Sequence, residues 1–222
     1  MLKAAPLVAL CVSSLLAVNA NAASVTYLLN QSNADTVLAD GVNYAKVTID
    51  DSIANTLTFT VSTLPVLSSL AGSNFGIDKF GFNVNGVNTI ADASGSNTYW
   101  TLPTDWSANV PNPKNPFDGF GQFEVSVETK GFARQSPLTF SLKNSGLTLN
   151  SFNEVSSGTA GQGNPYFAAH IAGFNAGTGS NAVTSAYFGG SKLMDPLVAP
   201  LPAAAWLFMS GLGFLNVMRR KR

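Results

Sequence analysis

The single histidine is the first residue of this sequence to consider for catalysis. His170 lies in a segment of alternating hydrophobicity in which Phe167 and Ile171 share the inward face, so the alternation predicts that His170 points outward. A lone histidine cannot complete a zinc site, which uses several nitrogen or sulfur ligands. A Ser-His-Asp triad needs only one histidine, but the chain has no Gly-x-Ser-x-Gly segment. We therefore predict a surface or sheet-edge histidine without a catalytic role.

Glu124 and Glu128 are the acidic residues that most resemble a catalytic pair, because both lie on the polar face of one predicted strand, residues 122–129. At ~3.3 Å of rise per residue they would lie roughly 13 Å apart, which exceeds the ~5–9.5 Å separation of a glycoside hydrolase pair. Either could pair with an acid on a neighbouring strand, so a glycan hydrolase or lyase stays an alternative. A solvated strand face is the simpler interpretation, and we expect a protein that is not an enzyme.

Loop carboxylates provide the oxygen ligands that calcium prefers. The aspartates in predicted loops are Asp50, Asp51, Asp92 and Asp118. The chain has neither an Asp-x-Asp-x-Asp-Gly loop nor a Gly-Gly-x-Gly-x-Asp repeat. We therefore expect no cofactor, with a structural calcium ion at these aspartates as the alternative.

Aromatic residues cluster beside a proline-rich stretch, residues 103–116. Tyr99, Trp100 and Trp106 could stack on sugar rings if they were exposed, and would then contact a glycan. Large aromatic side chains are usually buried, so a cap over one end of the core is the favoured interpretation. The prolines exclude a central strand and predict an ordered surface loop.

Apolar residues alternate with hydroxylated or charged residues along most of the chain, which predicts half-buried β-strands. The predicted strands cover residues 25–29, 45–49, 56–62, 79–84, 98–101, 122–129, 137–143, 166–172 and 183–188. Turns are expected at Asp40-Gly41 and Asp50-Asp51, and short helices at 67–70 and 149–155. About eight or nine strands without long helices predict an all-β fold, as an antiparallel β-sandwich or jelly roll.

The charge of the chain is low and unevenly distributed, with 11% charged residues. All twelve Asp and Glu lie between Asp35 and Asp195, together with seven of the twelve Lys and Arg, so this middle part carries a net charge of −5. Nucleic-acid binding requires a basic face, so no nucleic-acid partner is expected. The only cysteine, Cys11, precedes this part, which therefore has no disulfide.

Residues 1–22 have the three regions of a secretory signal peptide. Lys3 precedes an apolar run over residues 4–18, and the small residues Ala20 and Ala22 follow. This order predicts cleavage before Ala23 and one β-domain over residues 23–195. We predict that this domain is located outside the inner membrane.

Residues 196–222 combine a proline motif, an apolar stretch and a basic end. The motif is Ala199-Pro200-Leu201-Pro202-Ala203, residues 203–218 are apolar, and the chain ends with Arg219, Arg220, Lys221 and Arg222. As a transmembrane helix the apolar stretch would be roughly 24 Å long, a little short of the ~30 Å hydrocarbon core. The basic residues predict a cytoplasmic C-terminus. A short span with this lead-in is more typical of a temporary anchor than of a permanent one.

This C-terminal segment closely resembles the PEP-CTERM sorting domain in its Val-Pro-Leu-Pro-Ala variant. Ala199 stands where the variant has Val, and Leu201 stands where the commoner motif has Glu. The resemblance implies a Gram-negative exporter of extracellular polysaccharide. It also implies processing by an exosortase, a membrane enzyme with its own catalytic Cys. Residues 115–123, 134–140, 161–170 and 187–191 are similar to members of that family without a known activity.

The expected function is therefore that of an exported, non-catalytic surface or matrix protein. Its expected partners are the exosortase, the inner membrane and the extracellular polysaccharide of a biofilm. The chain would be a substrate of the exosortase. The chain would be anchored in the membrane first and then reach the cell surface or the matrix. The main alternative is a secreted carbohydrate-binding module that uses Trp100 and Trp106.

Overall fold

The computed structural model describes residues 23–86, 90, 99–110, 114–129, 133–144, 146–190 and 192–193. The predicted signal peptide with Ala20 and Ala22, the aspartate Asp92, and the predicted sorting signal at 196–222 lie outside the described residues. The sorting motif, the apolar stretch and the basic end all belong to that last segment. Within the described part of the chain, no helix has the length and apolar character needed to cross a membrane.

Strands dominate the described part of the chain, and its helices are short. The strands are β1 (Ser24–Leu29), β2 (Gln31–Ser32), β3 (Ala45–Ile53), β4 (Thr56–Thr63), β5 (Ala71–Phe82), β6 (Trp100–Thr101), β7 (Trp106–Asn109), β8 (Asn115–Phe117), β9 (Gly121–Phe123), β10 (Val125–Thr129), β11 (Leu138–Lys143), β12 (Phe167–Ala176), β13 (Val183–Gly190) and β14 (Lys192–Leu193). The helices are α1 (Pro65–Ser68) and the 3₁₀ helices Leu149–Phe152 and Gly179–Asn181.

Two six-stranded sheets and one hairpin contain all of these strands. The first sheet has the order β14-β1-β3-β4-β11-β6, the second has the order β2-β13-β12-β5-β10-β7, and β8 pairs with β9. Every strand pairing among the described residues is antiparallel. The all-β, antiparallel prediction is confirmed. The strands outnumber the predicted eight or nine because bends and short edge pairings divide several of them.

The alternation read from the sequence is confirmed in the first sheet. In β1, Val25, Tyr27 and Leu29 are buried, and the residues between them are half-buried. The same alternation holds in β3, β4 and β11, whose buried residues are Ala45, Val47, Ile49, Leu57, Phe59, Val61, Leu138, Phe140 and Leu142. Hydroxyls line the opposite face, where Thr26 Oγ1 and Thr48 Oγ1 are hydrogen-bonded at 3.1 Å.

Several predicted boundaries were wrong. Asp50 and Asp51 lie inside β3 at an irregularity rather than in a turn. β5 begins at Ala71, and β12 continues to Ala176, because bulges absorb their glycines without ending the strands. The proline-rich loop contains the strand β7, which within the described residues pairs with β10 alone, at the edge of the second sheet. β7 itself contains no proline, because Pro103 precedes the strand and Pro111 follows it.

Aromatic rings from both large sheets meet in one hydrophobic core. Phe59 of the first sheet stacks on Phe140 of the same sheet at 4.8 Å between ring centroids. It also stacks on Phe82 of the second sheet at 5.3 Å and contacts Phe152 edge-on at 5.0 Å. All four rings are at most 2% exposed, so this contact joins the two sheets at the centre of the molecule.

The buried phenol of Tyr27 makes the fold sensitive to high pH. Burial, with a smaller effect of Tyr166, raises the pKa of Tyr27 from 10.0 to about 12, and its hydroxyl donates to Asn153 Oδ1 at 3.0 Å. Between these values the unfolded state binds fewer protons than the folded state, so stability falls as pH rises. We expect Tyr27 to contribute about 2–3 kcal/mol to this loss.

Urea unfolding at pH 8, 10 and 12 checks this expectation against Tyr27→Phe. The variant lacks the titrating group, so its free energy of unfolding should fall less between pH 10 and 12. Burial also raises the pKa of Tyr44 and of Tyr187, so the variant keeps a loss of its own. Equal losses in both proteins would contradict the role given to Tyr27.

Candidate functional site

The outer face of the second sheet is partly covered by the hairpin β8–β9. Phe117, Phe120 and Phe123 of this hairpin form a second, smaller core with Ala168 of β12, and all of these residues are at most 1% exposed. The predicted strand at 122–129 is therefore two strands that bend at Glu124. Phe123 faces the second core, whereas Val125 and Val127 face the main core.

A row of small residues across the second sheet makes room for the hairpin. The register aligns Gly189, Ala168, Gly81 and Ser126 from four adjacent strands. A Cβ at Gly81 would overlap the ring of Phe117, and a Cβ at Gly189 would lie 2.5 Å from the ring of Phe120. The phenyl rings therefore need glycines beneath them, and the hairpin can sit only on this row.

A row of polar and aromatic residues lies beside the small ones. The register aligns Tyr187, His170, Lys79 and Glu128, one from each of the strands β13, β12, β5 and β10. On each strand the functional residue and the small residue are two positions apart, so both project from the outer face. The hairpin covers the small residues and leaves the polar and aromatic row beside it only partly covered. This row forms the candidate site.

His170 is held by a carboxylate at the bulge between β5 and β12. Its Nδ1 lies 2.5 Å from Asp78 Oδ1, and the Nε of Arg134 donates to Asp78 Oδ2 at 3.1 Å. The imidazole also packs on the ring of Tyr187, with 4.5 Å between centroids. The outward orientation predicted for His170 is confirmed, but the sheet-edge alternative is wrong. β12 is an interior strand, and the side chain is 22% exposed.

The Asp78–His170 pair could orient a base, since a carboxylate on one ring nitrogen leaves the other free for a proton. A nucleophilic mechanism also needs a hydroxyl or thiol within hydrogen-bond reach of that nitrogen. Among the described residues no such hydrogen bond to His170 is present; its other close neighbour is the ring of Tyr187. The pair is thus a hydrogen-bonded carboxylate and imidazole, and the imidazole packs against the ring of Tyr187.

Glu124 and Glu128 each bind a different lysine. Glu124 lies 3.2 Å from Lys114 and accepts from the backbone N–H of Val84 at 3.2 Å. Glu128 accepts from Asn109 Nδ2 at 2.6 Å and lies 4.0 Å from the Nζ of Lys79. The structure therefore gives both carboxylates charge partners and does not place them in a shared cleft.

A cavity of about 420 Å³ lies between the turn of the hairpin and the loop over residues 156–164. Its lining includes Asp118, Gln122, Thr159 and Tyr187. Burial, followed by the charges of Asp78, Asp118 and Glu128, raises the pKa of Tyr187. Its hydroxyl therefore keeps its proton at neutral pH and can serve as a donor.

The aromatic residues of the glycan-binding alternative lie elsewhere, at the margin of the main core. Trp106 is 7% exposed, and its Nε1 donates to the carbonyl of Ala133 at 2.9 Å, so the ring has no open face for stacking. Trp100 and Tyr99 are half-buried and pack against the core, with Trp100 near Phe82 and Phe140. All three side chains are placed as a cap over the core.

The aspartates proposed for calcium are separated. Asp50 and Asp51 lie in β3 of the first sheet, whereas Asp118 lies in the hairpin that covers the second. Asp50 accepts from the backbone and hydroxyl of Ser52, and Asp51 accepts from the N–H of Ala23 at 2.7 Å. Among the described residues, no group of three or more His, Cys, Asp or Glu is arranged to hold a metal ion.

Sequence reasoning missed Asp78, Lys79 and Tyr187 because each looks ordinary on its own strand. A signal was present in the spacing: Lys79 and Gly81, Ala168 and His170, and Tyr187 and Gly189 are all pairs two residues apart. Each pair combines a small residue with a polar or aromatic one on a single strand face. The recurrence of this pattern in three strands indicates an outer face that another element covers.

Comparison of the chain with models of protein families, with curated proteins and with solved structures gave no match.

Proposed function

We propose that this chain is an exported, non-catalytic surface or matrix protein whose C-terminal segment is the substrate of an exosortase. Its β-domain, of the β-sandwich or jelly-roll type, would be delivered into the exopolysaccharide of a Gram-negative biofilm. The observation that carries the proposal is the order of the C-terminal residues: the motif at 199–203, an apolar stretch and the basic end at 219–222. The resemblance to the PEP-CTERM sorting domain rests on the same residues.

The start of the β-domain supports export with cleavage before Ala23. The backbone N of Ala23 donates to Asp51 Oδ1 at 2.7 Å, and the carbonyl of Ala23 accepts from the N–H of Asp51 at 3.1 Å. After cleavage at this position the N would be an α-ammonium group beside a carboxylate. A charge-assisted hydrogen bond of that kind is stronger than the amide contact, so processing would strengthen the attachment of β1.

The contacts of the acidic residues support a role without catalysis. Glu124 and Glu128 form ion pairs with Lys114 and Lys79 on separate parts of the sheet. A glycoside hydrolase needs two carboxylates on either side of one bond. The carbohydrate-binding alternative through Trp106 loses its support, because the ring of Trp106 is buried.

Mass spectrometry of the protein recovered from its host tests the sorting proposal. With the exosortase present, the surface form should lack the basic end, and without the enzyme the chain should extend through Arg222. Replacing both motif prolines, Pro200→Ala and Pro202→Ala, should reduce processing at least about tenfold, because a rigid recognition segment would become flexible. Pro196→Ala, just before the motif, is the matched control and should be processed normally.

Two outcomes would contradict the proposal. A mature surface form with an intact C-terminus through Arg222 would exclude removal of the segment. Equal processing with and without the exosortase would assign the cleavage to another enzyme.

A further inference from the structure

The cavity beside Tyr187 is held open by contacts on both of its sides. The backbones of Gln122 and Ser157 exchange two hydrogen bonds of 2.8 and 2.9 Å, which join the hairpin to the loop. The N–H of Gln162 donates to the carbonyl of Gly119 at 2.8 Å, at the turn of the hairpin. These contacts fix the two walls, so the concave shape does not depend on a ligand.

The aromatic wall of the cavity is fixed as well. The ring of Tyr187 packs against His170 and meets the edge of Phe117 at 5.7 Å. Asn33 accepts from the backbone N–H of Tyr187 at 2.9 Å and donates to Asp118 Oδ2 at 3.0 Å. One side chain thus sets the distance between the aromatic residue and the carboxylate. Such preorganisation lowers the entropic cost of binding.

Four polar groups at this cavity have hydrogen-bonding capacity to spare. Among the described residues, none bonds to Asp118 Oδ1, to the side-chain amide of Gln122, or to the hydroxyls of Thr159 and Tyr187. The set combines a carboxylate that accepts hydrogen bonds, an amide that can donate and accept them, and two hydroxyls. A ligand with several adjacent hydroxyl groups would match these donors and acceptors, and the ring of Tyr187 would cover its apolar C–H face.

The charges around the cavity select against ionic ligands. A carboxylated or phosphorylated ligand would meet the negative charge of Asp118, which forms no ion pair within the described residues. A calcium ion would need several oxygen ligands, whereas Asp118 is the only carboxylate in the lining. A purely apolar ligand would desolvate Asp118 without replacing its hydrogen bonds.

We infer that the cavity between the hairpin turn and the loop over 156–164 binds a neutral saccharide, with Tyr187, Asp118, Gln122 and Thr159 as its contacts. This site lies on the opposite sheet from Trp100. The inference goes beyond the sorting proposal and does not depend on it, because no residue of the C-terminal segment takes part.

Isothermal titration calorimetry of the full chain tests the site. The protein should be kept in a zwitterionic detergent without a sugar headgroup. The probes are the neutral tetrasaccharides of glucose, xylose, mannose and galactose, with tetragalacturonate as the anionic comparison. At least one neutral probe should bind, and tetragalacturonate should bind at least about tenfold more weakly. Tyr187→Phe and Asp118→Asn should each weaken binding about five- to tenfold, since each removes one good hydrogen bond.

The matched control is Glu154→Gln. Glu154 lines a second cavity of about 300 Å³ that has no aromatic residue in its lining, so its replacement should leave binding unchanged. Hydrogen exchange at residues 118–122 and 157–160 should slow when the neutral probe binds. Absence of binding by every neutral probe would overturn the inference. It would also be overturned if Tyr187→Phe and Asp118→Asn bound the probe as tightly as the unaltered protein does. Normal C-terminal processing in these variants would leave the sorting proposal intact.

Discussion

Replacing Phe59 with alanine is expected to lower the free energy of unfolding by about 3–5 kcal/mol. Phe59 is fully buried and contacts Phe140 of its own sheet at 4.8 Å, Phe82 of the second sheet at 5.3 Å and Phe152 of a 3₁₀ helix at 5.0 Å. These rings are held by two strands and a 3₁₀ helix, so they cannot move together to fill the space. The loss therefore combines the transfer of a phenyl ring with the cost of a cavity.

Urea unfolding followed by circular dichroism measures this loss. Phe59→Leu keeps most of the apolar volume and should cost clearly less than Phe59→Ala. Val66→Ala is a control at a position that is 50% exposed, and it should change stability by no more than about 0.5 kcal/mol. A loss below about 1 kcal/mol for Phe59→Ala would mean that the two sheets do not meet at this ring.

Gly190→Ala is the second change with a large expected effect, about 3 kcal/mol or more. Gly190 ends β13 and is buried where the second sheet passes β1 of the first. A Cβ there would overlap the carbonyl oxygen of Leu28 and lie 2.7 Å from its carbonyl carbon. The obstacle is the backbone of β1 near its end, so no side-chain rotation can relieve it. We expect the variant to unfold at lower urea or to accumulate poorly.

Gly161→Ala is the matched control, because it is the same chemical change at an open position. No atom lies within 4 Å of a Cβ built at Gly161. Its effect should be within about 0.5 kcal/mol, or slightly stabilising through the lower entropy of the unfolded chain. If Gly190→Ala were as harmless as this control, β1 and β13 could not approach as closely as the structure shows.

The two sheets have different outer faces, and this asymmetry locates the candidate site. The first sheet presents hydroxylated residues such as Thr26 and Thr48, and the second carries the hairpin with its own small core. A covered face creates a margin where a cavity can form between the sheet, the hairpin and a loop. Ligand sites generally occur in such concave places, which is why the cavity beside Tyr187 is the strongest binding candidate in the described residues.

Much of the fold could be predicted because burial follows a period of two along each strand. Val25, Tyr27 and Leu29 show this directly, and the antiparallel all-β class follows from many such segments. The errors fall where a strand continues through, or forms beside, glycines and prolines that the sequence pattern interprets as a turn or loop. β5 passes through a bulge at Gly76, which has a φ of +152°, and β7 forms at an edge within a proline-rich stretch.

The outward face of β12 shows what a strand pattern leaves open. Alternation correctly placed His170 opposite Phe167 and Ile171, and the same alternation turns Ala168 to the outer face. Ala168 is fully buried because the hairpin covers it. A polar face and a face covered by another element have the same period, so the pattern alone cannot distinguish them.

The sequence by itself determined which residues point inward and that the described domain is antiparallel β; the export and sorting segments remain predictions from sequence. Only the tertiary structure decided which outward residues meet. His170 and Asp78 are 92 positions apart, and the row of Tyr187, His170, Lys79 and Glu128 exists only through the pairing of four strands. The physical reason is that a strand fixes its own faces locally, whereas its partners and register depend on packing across the whole chain.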